Sequence, residues 1–66
     1  MTMLKVIEVL AESKESWEDA AQAAVTTASK TVRGIRSINV KNLQATVDKG
    51  KIKSYRLNAK ITFTLE

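Results

Sequence analysis

The 66-residue sequence has no cysteine, no histidine and no proline. Without cysteine there is no disulfide staple and no thiolate ligand for a metal. Without histidine the commonest general base and transition-metal ligand is missing. Glycine occurs only at Gly34 and Gly50, which leaves little material for flexible linkers. The aromatic residues are Trp17, Tyr55 and Phe63. No apolar run is long enough to span a bilayer, and MTMLKVIEVL is too short and too charged for a signal peptide. The expectation is a cytoplasmic protein with no membrane partner. A chain of this length forms a single domain, residues 1–66, and buries only roughly 60% of its unfolded surface. Small unstapled domains often gain stability by associating, so a homo-oligomer is expected.

The formal net charge is +4, from 11 basic and 7 acidic residues. The cations are scattered, apart from Lys49, Lys51 and Lys53 around a turn. Solvation accounts for so modest an excess. Nucleic-acid binding would want stacking groups among the cations, and the polar positions lack them, so no nucleic-acid partner is expected.

The stretch from Ser13 to Gly34 reads as one amphipathic helix with a small-residue face. Ser13 suits the N-cap, and Glu15, Glu18 and Asp19 suit the positive end of the helix dipole. Lys30 and Arg33 suit the other end, and Gly34 suits the left-handed residue after it. Trp17, Ala20 or Ala21, Ala24, Ala28, Val32 or Thr31, and Ile35 recur at three- and four-residue steps. Alanines project little, so this stripe needs a closely approaching partner such as a curved sheet. Trp17 is expected as a core anchor.

Met3 to Ala11 reads as a strand with Leu4, Val6, Glu8 and Leu10 on one face and Lys5, Ile7 and Val9 on the other. Apolar groups on both faces predict neighbours on both sides. Ile35 to Val47 reads as a second strand whose phase slips: Ile38 and Val40 share one parity, Leu43, Ala45 and Val47 the other. Such a slip marks a bulge, expected near Lys41 and Asn42. Asp48-Lys49-Gly50-Lys51 is the hairpin connection. Lys51 to Glu66 alternates apolar Tyr55, Leu57, Ala59, Ile61, Phe63 and Leu65 with polar residues. The fold class is therefore α+β, in the order β-α-β-β, with the third strand central. A helix of roughly 20 residues spans about 30 Å, whereas roughly 15 extended residues span about 50 Å. The hairpin outreaches its cover, which predicts assembly.

Catalysis has little to work with, because the serine and threonine hydroxyls have no histidine to activate them. We expect no enzyme. Glu8 interrupts an apolar face; it suits either a cation ligand at a subunit contact or an edge charge against aggregation. The polar face of the hairpin carries Arg36, Ser37 and Asn39 on one strand and Arg56, Asn58 and Lys60 on the next. Two arginines among small polar groups suit a phosphate or carboxylate, or else a solvated face with intersubunit salt bridges.

Taken together these residues resemble the dodecin family. The points of likeness are KVIEV in the first strand, S-x-E-SWE-x-AAQAAV-x-x-AS-x-T in the helix, DKGK at the turn and the closing Y-x-x-x-x-K-x-x-FTLE. The resemblance implies a three-stranded antiparallel sheet wrapped around one helix, and twelve copies closed into a hollow shell. It also implies storage or sequestration of flavin, or of another small ligand or ion. Flavin members carry a tryptophan early in strand two that stacks on the isoalloxazine ring and a glutamine in strand three that hydrogen-bonds to it. Those positions are Ser37 and Arg56 here, so the resemblance implies an altered pocket lined by Arg36, Ser37 and Arg56.

Overall fold

The alternating run at the C-terminal end becomes the central strand. The computed structural model describes residues 2–65, and its elements are β1 (Met3–Ser13), α1 (Trp17–Ala28), β2 (Ile35–Asp48) and β3 (Lys51–Leu65). The strands form one antiparallel sheet in the order β1-β3-β2, and α1 packs against all three. This is the β-α-β-β arrangement expected. Glu66, expected as the last strand residue, lies outside the described residues.

Period-two alternation sends Leu57, Ala59 and Ile61 to the helix side, where all three are buried. Ala20 of α1 meets Leu57 and Ala59, with Val9, Ala11, Trp17, Ala21 and Ile38 packed around them. Ala20 lets the helix backbone sit close to the sheet. Burial of Leu57 and of Ile61 each stabilises the chain by about 1.5–3 kcal/mol.

The helix is shorter than its pattern. It covers Trp17–Ala28, and its N-cap is Ser16, whose hydroxyl accepts from the Asp19 amide at 2.9 Å. Ser13, expected at that place, instead ends β1. Its hydroxyl donates to Asp19 Oδ2 at 2.7 Å and accepts from the Glu15 amide at 2.9 Å, bracing the turn into the helix. Glu15 therefore precedes the first turn, which holds Glu18 and Asp19. At the other end Lys30 and Arg33 fall outside the helix. Ser29 Oγ donates to the Thr26 carbonyl at 2.8 Å, and the Lys30 and Thr31 amides bond only three residues back. Hydroxyl competition for helical carbonyls loosens a helix end, and four such residues crowd this one. Gly34 has the expected positive φ, 74°, for a different reason: its carbonyl accepts from the Thr64 amide at 3.0 Å, and a Cβ there would collide with Thr64 Oγ1.

The bulge falls where the phase slip puts it. Register shifts between Lys41 and Gln44, and Asn42 takes φ 49°, which asparagine tolerates better than most side chains. Further shifts lie between Ile35 and Ser37 and between Thr46 and Val47. Asp48 pairs with Lys51, so the hairpin loop is Lys49-Gly50, with φ 52° and 77°. Two positive φ values make the turn type whose twist matches the strands.

A 12-residue helix spans about 18 Å, against a long axis of 52 Å. Only one face of β1 is covered by its own chain: Leu4, Val6 and Leu10, on the other face, are exposed, Leu10 by 77%. Neighbours on both sides, expected for this strand, are not both supplied by the chain itself.

Candidate functional site

The face of the sheet away from α1 is polar along its centre, because β3 turns Ser54, Arg56, Asn58, Lys60 and Thr62 that way. Register sets their neighbours. Arg56 lies between Glu12 of β1 and Gln44 of β2, Lys60 between Glu8 and Asn39, and Thr62 between Val6 and Ser37.

The best-connected group on this face is centred on Glu12. Ser54 Oγ, in a residue only 3% exposed, donates to Glu12 Oε2 at 2.6 Å and lies 2.5 Å from Thr46 Oγ1. Arg56 Nε donates to Glu12 Oε1 at 3.3 Å, and the two charged side chains are half exposed. The Ser54 hydrogen bond, followed by Arg56 and Lys53, holds the Glu12 carboxyl below its ordinary pKa of 4.5. Two shallow clefts flank the pair. One, about 340 Å³, is lined by Leu10, Ala11, Glu12, Gln44 and Arg56. The other, about 330 Å³, includes Thr46, Asp48, Lys53 and Ser54.

Arg36, Ser37 and Arg56 are not brought together within one chain. Ser37 opposes Thr62, six residues along β3 from Arg56, which is about 20 Å in an extended strand. Arg36 sits in the first register shift of β2 and is exposed. Glu8 is exposed opposite Lys60, and among the described residues no three acidic, histidine or cysteine side chains are grouped as a metal site. Trp17 packs on the core edge as expected: its ring meets Tyr55 edge-on at 4.8 Å, and its Nε1 donates to the Gln44 carbonyl at 2.9 Å. Glu12, Ser54 and Thr46 are not among the candidates that the sequence pattern singled out; Glu12 falls between the expected strand, which ends at Ala11, and the expected helix, which begins at Ser13. The register of β1 on β3 sets Glu12 beside Arg56, and that of β2 on β3 sets Thr46 opposite Ser54.

The family model described as Dodecin matches residues 3–66. Dodecin of Thermus thermophilus is 34% identical over 62 residues, 94% of this chain and 90% of that protein. Calcium dodecin of Mycobacterium tuberculosis is 38% identical over 66 residues, 98% of this chain and 92% of that protein. A crystal structure of a T. thermophilus dodecin variant matches with TM-score 0.94 at 32% identity, covering 100% of this chain and 98% of that one. The M. tuberculosis crystal structure, described as calcium chelating with a novel calcium-binding site, matches with TM-score 0.83 at 37% identity, covering 97% and 91%.

Proposed function

The chain belongs to the dodecin family, and from that premise we propose that it is the subunit of a hollow twelve-copy shell that holds a small ligand or ion and catalyses no reaction. The observation that carries this reading is the ratio of cover to sheet. A three-turn helix shelters the middle of a 52 Å molecule, while Leu4, Val6, Leu10, Leu43, Val47 and Ile52 stay exposed. So many exposed apolar groups on so small a chain ask for partners, and a second copy of the same chain is the simplest one. No helix is long and apolar enough to cross a membrane; the cytoplasm is the compartment we propose. Light scattering should give about twelve times the chain mass, and a monomer would overturn the shell.

Flavin, the ligand that the family resemblance implies, fits this chain poorly. Ser37 offers no ring to stack on, and Trp17, Tyr55 and Phe63 belong to the helix side of the sheet. Loss of an aromatic partner removes about 1 kcal/mol beyond area burial. We therefore propose that flavin binds weakly or not at all, and that Arg36, Ser37 and Arg56 line a pocket completed by a neighbouring copy. Protein isolated yellow, or quenching riboflavin fluorescence at micromolar concentration, would reverse that view.

The relationship to a calcium dodecin favours a second reading, an ion-binding shell. Among the described residues one chain offers no grouped ligands, so symmetry copies would have to converge carboxylates, Glu8 among them. A rise in the unfolding midpoint with added calcium, absent in Glu8→Gln, supports it. If neither metals nor small molecules raise the midpoint, the assembly has a structural role without cargo.

A further inference from the structure

Arg56 is held by one edge only. Among the described residues its Nε alone is engaged, at 3.3 Å from Glu12 Oε1, and no hydrogen bond reaches its two terminal nitrogens. Those two nitrogens form the edge that grips a carboxylate, sulfonate or phosphate with parallel hydrogen bonds. Glu12 is anchored differently. Its other oxygen takes a 2.6 Å bond from the buried Ser54 hydroxyl, which is itself bound to Thr46. The carboxylate is thus a fixed charge and the guanidinium the exposed, half-committed partner. Beside them, the cleft walled by Leu10, Ala11 and the Gln44 side of β2 offers apolar surface next to that free edge.

We infer that Arg56 is an anion site with a built-in competitor: it takes a small amphipathic anion, apolar body against Leu10, and Glu12 masks it. This deepens the reading of Arg56 as pocket lining and rests on it. The ligand class follows from the donor set. A guanidinium edge beside the exposed Leu10 side chain selects one strong anionic group on an apolar body. A neutral ligand leaves the guanidinium unused, and a large polyanion meets Glu12 and Asp48 in the neighbouring cleft. The mask is electrostatic, since a carboxylate at bonding distance cancels much of the attraction that Arg56 exerts on a second anion. The charged groups around Glu12 are Arg56 and Lys53 of β3 and Asp48 of β2; the helix packs on the opposite face.

The test uses naphthalene-2-sulfonate, whose charge does not titrate, in fluorescence titrations of the assembled protein at fixed ionic strength. Glu12→Gln keeps the shape and an acceptor for Ser54 while removing the charge, so it should bind the probe at least ~3-fold tighter than wild type at neutral pH. Acidification below 4.5, the ordinary glutamate value, should bring wild type toward the Glu12→Gln affinity and leave that variant unchanged. Arg56→Gln should lose binding in both backgrounds. Equal affinity in wild type and Glu12→Gln would overturn the mask and leave the shell reading standing. Undiminished binding by Arg56→Gln would overturn the site itself. The copy number, measured on the same samples, reports separately on the shell.

Discussion

At the scale of single residues, hydroxyls and one glycine do much of the local organising. Ser16 caps the helix and Ser13 clamps the approach to it, so the two serines divide the work that a single cap residue was expected to do. Ser16→Ala should cost about 1 kcal/mol in chemical denaturation, the usual effect of losing a cap. Gly34→Ala should cost more, about 1–3 kcal/mol, because it forces a side chain into positive φ and against Thr64 at once. A midpoint unchanged from wild type would show that the chain there relaxes freely.

Glu12 gives a residue-scale prediction with a sign. Its carboxyl is held below 4.5 in the folded chain, so the unfolded chain binds a proton more readily. The contribution is fully present above the unfolded value and is lost as pH falls through the lowered folded value. Ser54 is the largest cause, ahead of Arg56 and Lys53. Ser54→Ala should therefore flatten the decline of the urea midpoint over that acid range, whereas wild type should fall more steeply. Parallel profiles would mean that the hydroxyl does not hold the carboxylate in solution.

At the scale of elements, the long hairpin sets the register and the helix adapts to it. Lys49 occupies a left-handed position, φ 52°, that favours asparagine or glycine. Lys49→Asn should stabilise the chain by a few tenths of a kcal/mol, up to about 1 kcal/mol, read as a higher denaturation midpoint at equal slope. The helix shows the converse case. Its apolar stripe continues past Ala28 in sequence, at Val32 or Thr31 and at Ile35, but the Ser29 and Thr31 hydroxyls donate to the Thr26 and Ala28 carbonyls, and the last stretch relaxes into turns. Periodicity marked which face was apolar; it carried no information on where those hydroxyls would win.

At the scale of the whole molecule, the exposed apolar groups of β1 are the feature that a single chain leaves unresolved. Leu4 and Val6 lie on the face that the helix does not reach, 57% and 50% exposed. Val6→Lys should leave the intramolecular core of Leu57, Ala59 and Ile61 intact and disrupt association. The expected readout is a fall in scattering mass together with a lower thermal midpoint that no longer shifts with dilution. A variant that keeps the full mass would mean that this strip is not part of the contact. The polar centre of the same face, with Glu12 and Arg56 in it, then sits among whatever contacts the copies make.

What the chain's own letters determined were the properties written in short-range pattern. The order of elements, the central place of β3, the bulge at Asn42 and the Lys49-Gly50 turn all follow from alternation, its interruption and the few residues that accept positive φ. What only the tertiary structure decided were the meetings between distant segments. Glu12 and Arg56 are 44 residues apart, as are 42 between Glu12 and Ser54. No periodicity within either strand encodes their contact, because it depends on the register in which β1 lies along β3. The pairing of β2 on β3 sets Ser37 opposite Thr62, six residues along β3 from Arg56, and it turns Gly34 from a helix terminator into the point where Thr64 closes against the start of β2.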